Sequence, residues 1–290
     1  MTVRLYQSKD VGAPELSSTT AGSLVTILRA CLVDGYGTRT PQGWLMPFSD
    51  LPNNVACFKP ASIGDTIRVD DGIDYRYAQC RGYATMSDLN TGTEMYPSLG
   101  NVIETSFKQW KRGDANVLKD GWMVVAGDNW FYFINHDDSY SYPAGFYFGA
   151  YDCVNASFAN NYIINGYYGS ANPSVSYADD GLYVAGVKKW WARRNYQDSA
   201  NPVNLDHYWS AQNYANPNPF NGSLEFMECE LRSYSAPIVR YGKLMNHTRL
   251  NAGSRLDQDF GNKFVSNLRN YVIYAAATSA FAIEFDEDAG

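Results

Sequence analysis

The chain has 290 residues, enough for one large domain that buries about three quarters of its extended surface. With 45% hydrophobic and 18% charged residues it is too apolar to stay disordered, and it holds no run approaching the roughly 18 apolar residues of a membrane span. A net charge of -7 excludes a chain-wide nucleic-acid surface, because phosphate binding needs Lys and Arg.

In chain order, the first segment shows neither the basic start nor the apolar block of a secretory signal, so export is not expected. The run 21–33 places Leu24, Ile27, Leu28, Cys31 and Leu32 on one helical face. This predicts one short helix, capped by Thr19 or Thr20 and stopped at Gly35 or Gly37. From Thr66 the period becomes two. Residues 66–70 and 75–81 read as strands joined by the turn 71–74, and Trp122–Ala126 with Trp130–Ile134 read as a hairpin around Gly127-Asp128-Asn129. Residues 146–151 supply another strand, and 271–277 with 280–285 form a last hairpin before the acidic tail Asp286, Glu287 and Asp288.

The 23 Tyr, 24 Gly and 12 Pro punctuate short strands and turns. The expected fold is therefore mainly β, an antiparallel sandwich or barrel-like sheets with one short N-terminal helix. It reads as a single domain over 1–290, with an N-terminal helical segment within 1–48 and a Tyr/Asn-rich loop or insertion region at 139–222. Residues 153 to 178 of that region carry no charge at all. Such polar-aromatic composition suits an adaptable protein interface.

His136, His207 and His247 are isolated, and no nucleophile elbow or phosphate loop occurs. Glu225, Glu228 and Glu230 sit in one strand-like run, where Glu228 and Glu230 would share a face at glycosidase separation; a solvent-facing strand has the same pattern. Asp70, Asp71 and Asp74 lack the spacing of a calcium loop and read as a solvated turn. Cys31, Cys57, Cys80, Cys153 and Cys229 form no C-x-x-C and read as reduced, mostly buried thiols. No catalytic, cofactor or metal residue is assigned, and the chain is read as a non-enzyme.

The basic run 188–194 includes Trp190, Trp191, Arg193 and Arg194. In an acidic chain it is expected to meet an acidic protein surface, such as the tail Asp286, Glu287 and Asp288 of a neighbouring copy, rather than DNA. With Tyr140, Tyr142, Tyr167, Tyr168 and Trp209 it makes up the expected partner-contact set.

The blocks Val3–Ser8, the Gly12-Ala13-Pro14 turn, 21–25, 30–37, Gly43-Trp44, 47–49, 81–86, 91–93 and 146–151, in that order, resemble a group of tailed-bacteriophage virion structural proteins of unassigned detailed role. The resemblance spans about residues 1 to 151 and is weak beyond. It implies a non-enzymatic subunit of the tail, the neck or the head surface. Such a subunit is made in the bacterial host cytoplasm and works by burying surface against other virion proteins and copies of itself. A carbohydrate- or receptor-binding module on a β-scaffold is the alternative, because exposed Tyr and Trp beside Asn and Asp suit sugars.

Overall fold

A computed structural model of the chain describes residues 2–17, 20–72, 77–96, 107–110, 121–135, 144–153, 162–165, 190–193, 205–208, 225–228, 230–233, 240–251, 263–266, 268–276 and 279–286. Among these residues the fold is mainly β, with four antiparallel sheets and one short α-helix.

Strand β1 (Arg4–Gln7) leads into helix α1 (Ser23–Arg29), which continues through a π turn, Ala30–Asp34. The predicted stripe is realised: Leu24, Ile27, Leu28, Cys31 and Leu32 are all buried. The cap differs from the sequence reading. Gly22 occupies the N-cap at φ 93 with no side chain to offer, Thr20 N–H donates instead to Ser17 Oγ, and Thr19 lies outside the described residues. The helix amides of Leu24 and Val25 donate to the Asp71 carboxylate at 2.8 and 3.4 Å, and Gly22 N–H donates to the Asp71 carbonyl at 3.1 Å. Asp71 is thus fully buried rather than part of a solvated turn, and Asp74 lies outside the described residues. Gly35, at φ 80, ends the helix as expected. Its last carbonyls accept from the incoming chain: Cys31 from Gln42 N–H, and Leu32 from Gly43 and Trp44 N–H.

Strands β2 (Leu45–Asp50), β3 (Val55–Lys59), β4 (Thr66–Asp70) and β5 (Tyr77–Tyr83) form a meander, followed by the small pair β6 (Thr85–Met86) and β7 (Gly92–Thr93) and by β8 (Phe107–Trp110). The order β2-β3-β4-β5-β8 makes a 5-stranded sheet, and the predicted 66–81 hairpin is its β4–β5 step. Its inner face contributes Ala56, Phe58, Ile67, Val69, Ala78 and Cys80 to the core. Strand β2 is an edge, and Pro47 together with the register shift between Leu45 and Phe48 guards it against further pairing.

The largest sheet is built on β9 (Trp122–Ala126), β10 (Trp130–Asn135) and β11 (Ala144–Cys153), the hairpin and strand read from the sequence. β12 (Tyr162–Asn165) pairs with β11, and β13 (Trp190–Arg193) pairs with β12. Beyond them come β14 (Leu205–Tyr208), β15 (Glu225–Glu228), β16 (Glu230–Ser233), β17 (Arg240–Leu244), β18 (His247–Asn251), β19 (Lys263–Ser266), β20 (Arg269–Ala276) and β21 (Ser279–Phe285). The 9-stranded sheet runs β1-β9-β10-β11-β17-β16-β14 with β12 and β13 branching from β11, and a separate 5-stranded sheet runs β15-β18-β21-β20-β19. The β20–β21 hairpin matches the sequence reading.

Every residue of β9 and β10 is buried, so both faces are covered. One face sends Val124, Ala126, Phe131 and Phe133 into the cluster shared with α1 and with the inner face of the β2–β5 sheet. The other carries Trp130, Tyr132 and, from β11, Tyr147 in mutual ring contact, with Tyr132 OH donating to the Met245 carbonyl at 2.8 Å. Gly149 faces Trp130 across β10–β11 at φ 142, and a Cβ there would collide with the Trp130 backbone. Gly43, at φ 90, has open space where its Cβ would be.

These two glycines separate strain from collision. Gly43→Ala is expected to cost about 1–2 kcal/mol in urea unfolding, from left-handed backbone strain alone. Gly149→Ala adds overpacking to the strain and is expected to cost about 3 kcal/mol or more, or to abolish soluble protein. Equal effects at the two positions would contradict the packing described here.

Candidate functional site

Three acidic side chains are drawn into the described structure, and each accepts hydrogen bonds from protein groups. Asp10 accepts from Gln7 N–H at 2.9 Å, from the Tyr36 hydroxyl at 3.0 Å and from the Arg39 guanidinium at 2.7 Å. This clamps the turn after β1 to the turn after the helix, where Gly12 and Gly37 pass in close backbone contact, both at positive φ. The Tyr36 ring lies between Tyr6, in a tilted contact, and Trp122, in an edge contact, and the Trp122 indole N–H donates to the Pro14 carbonyl at 2.9 Å. Asp65, buried, accepts from the Tyr96 hydroxyl at 2.9 Å. Asp71 caps the helix. Both oxygens of Asp10, and the Oδ2 atoms of Asp65 and Asp71, are positioned to hold structure, because proton transfer or ligation at them would first break those bonds.

Burial shifts the titration of the neighbouring groups. The Tyr36 phenol is pushed far up by burial, with the Cys31 and Asp10 charges and the Asp10 hydrogen bond adding to it. The Cys31 and Cys80 thiols are raised by burial, helped by Asp10 and Asp71 respectively. Cys57 is pushed up to about 12 by burial, with Arg68 opposing and Asp88 assisting. All three cysteines are free thiols, as the sequence reading expected; the side chain of Cys153 and the whole of Cys229 lie outside the described residues. Among the described residues no three of His, Cys, Asp and Glu gather as a metal site.

The glutamates do not form the single strand read from the sequence. Glu225 and Glu228 end β15, which pairs with β18, while Glu230 opens β16 opposite Tyr208 in another sheet. The chain changes partners between them, so Glu228 and Glu230 share no strand and no face. The Asp286 carboxylate accepts from Val3 N–H at 2.7 Å and its own N–H donates to Val3 O at 2.8 Å, so it ties the end of β21 to the start of the chain. Glu287 and Asp288 lie outside the described residues.

Of the expected partner contacts, Tyr140, Tyr142, Tyr167, Tyr168, Arg194 and Trp209 lie outside the described residues. Trp190, Trp191 and Arg193 are placed by backbone register in β13: Trp191 stands opposite Ile164, Trp190 opposite Asn165 and Arg193 opposite Tyr162. The sequence reading missed Asp10, Asp65, Arg68 and the capping role of Asp71. Their one local signal was a charge inside or beside an apolar run. Among the described residues no helix is long and apolar enough to cross a membrane. Compared with protein-family models and with curated proteins, the chain matches none.

The raised thiols and phenol set a pH dependence. Each group holds its proton more tightly folded than unfolded, so stability is level below the ordinary thiol range and falls as pH rises past it. Unfolding in urea is expected to keep the same midpoint from pH 7 to about 8. Above about pH 9 it should weaken by up to about 1.4 kcal/mol per pH unit for each such group. Cys57→Ala should fall less steeply than wild type between pH 9 and about 12. An unchanged midpoint up to pH 10.5 would contradict the burial of these groups.

Proposed function

We propose that the chain is a non-enzymatic structural subunit of a tailed-bacteriophage particle, in the tail, the neck or on the head surface, acting through protein-protein assembly. The observation that carries this reading is the ordered set of sequence blocks resembling virion structural proteins. Several of those blocks fall on elements that contribute to the core, namely β1, both ends of the helix, Trp44 and β11, while block 91–93 falls on exposed β7. The structural hydrogen bonds that Asp10, Asp65 and Asp71 accept support the same reading, since each ties separate segments of the chain together. Three buried free thiols suit manufacture in a host cytoplasm.

In this reading the region 139–222 supplies the contact surface, with Tyr140, Tyr142, Tyr167, Tyr168, Trp190, Trp191, Arg193, Arg194 and Trp209 as its anchors. The partners are other virion proteins and further copies of the chain. Nucleic acid is not among them.

Quantitative mass spectrometry of purified particles tests the assignment, with a fixed copy number per particle as the expected result. Central aromatic anchors are worth about 2 kcal/mol or more, so Tyr167→Ala and Trp209→Ala should each lower incorporation by more than about tenfold while the purified variants stay folded. Absence of the protein from particles would overturn the assignment. Undiminished incorporation of both variants would remove 139–222 as the contact surface.

A further inference from the structure

The hairpin of residues 84–95 leaves β5 after Tyr83 and returns at Tyr96, whose backbone pairs with Gly82 in both directions at 2.9 Å. The Tyr96 phenol is anchored on buried Asp65, so the base of the hairpin is fixed. Beyond the base, β6 and β7 are exposed or half-buried throughout. The hairpin holds its own shape through Ala84 N–H to Thr93 O at 3.1 Å, Ser87 N–H to Thr91 O at 2.9 Å and the Thr85–Thr93 hydroxyl pair at 2.6 Å.

What the hairpin folds over is the outer face of the β2–β5 sheet. Strand alternation sends Ala56 and Phe58 into the core and therefore turns Cys57 outward, yet Cys57 is fully buried. Across the strands Cys57 stands opposite Arg68, which stands opposite Arg81. Arg68 reaches off the sheet to the hairpin tip, donating from Nε to the Leu89 carbonyl at 3.0 Å and from a terminal nitrogen to Asn90 Oδ1 at 3.2 Å. Both terminal nitrogens also bond Asp70 Oδ2 at 3.3 Å, which fixes the guanidinium from below. The charge of Asp88, at the tip, acts on the Cys57 thiol beneath it. Nearer the base, Gly92 lies directly against the Tyr83 ring and leaves no room for a side chain.

We propose that hairpin 84–95 is a flap latched by Arg68 over the outer face of the β2–β5 sheet, and that solvent reaches Cys57 when this latch opens. The base is held by a reciprocal backbone pair and a buried phenol; among the described residues, the tip is held to the sheet by the Arg68 side chain. Opening therefore pivots at Gly82 and Tyr96 and leaves the core face of the sheet closed. Such local opening costs less than global unfolding and is readable through a buried thiol.

The test is iodoacetamide labelling of the intact full-length chain, quantified cysteine by cysteine by peptide mass spectrometry. Cys80, on the core face of β5, and Cys31, in the helix, serve as internal references. Arg68→Ala removes the latch, and a second variant replacing residues 87–91 with Gly-Gly removes the tip while keeping the Arg68–Asp70 pair. Both should speed Cys57 labelling by about tenfold or more, with Cys80 and Cys31 at wild-type rates. An unchanged Cys57 rate in either folded variant would overturn the proposal. So would a parallel rise at Cys57 and Cys80, which would mean that the whole sheet opens.

Discussion

The carboxylate of Asp71 joins the two halves of the core. Helix α1 is only seven residues long before its π turn, too short to persist in water by itself, and its N-cap is a glycine. The exposed amides of its first turn must be satisfied from elsewhere, and the residue that does so lies 47 positions downstream at the end of β4. Asp71 is in turn held by its own N–H on the Asn54 carbonyl at 2.9 Å, so helix, β2–β3 connection and sheet meet at one buried residue. A buried negative charge is tolerated there because it accepts charge-assisted hydrogen bonds at the positive end of a helix.

From that joint the rest of the described structure follows by packing. The helix presents Leu24, Ile27, Leu28 and Leu32 to the inner face of the β2–β5 sheet and to the aromatic face of β9–β11. Trp44 closes the far end: its backbone N–H meets the Leu32 carbonyl at 2.8 Å, and its indole N–H meets the Gly127 carbonyl at 3.0 Å. Asp10, Tyr36 and Arg39 then clamp the loops on either side of the helix. A scaffold fixed in this way suits a protein that works by presenting surface. Its one described element held by a single side chain at its tip is the flap over Cys57.

The legible part of the fold was the local part. Helix 23–34, the β4–β5, β9–β10 and β20–β21 hairpins and strand β11 each carry their period within a dozen residues, and each formed as read. Strands β2 and β3 escaped notice because Pro47 and the bulge at Leu45/Phe48 break the alternation of β2, and because β3 is buried on both faces and so does not alternate. The Asp70-Asp71-Gly72 turn looked solvated because its ligands, the amides of Leu24 and Val25, lie far back in the chain. The run 224–231 looked like one strand because alternation does not reveal a change of pairing partner. The bond from Asp286 to Val3 went unread because it spans 283 residues. What sequence patterning missed were long-range polar contacts, which leave no period.

Urea unfolding of Asp71→Ala beside wild type, followed both by far-ultraviolet circular dichroism and by tryptophan fluorescence, bears most directly on this account. Loss of a buried charged acceptor that leaves two helix amides without partners is expected to cost about 3 kcal/mol or more, with both probes shifting together. Asp71→Asn, which keeps one acceptor and loses the charge, should fall between the two. An Asp71→Ala midpoint within about 0.5 kcal/mol of wild type would mean that the helix and the sheet are joined by packing alone.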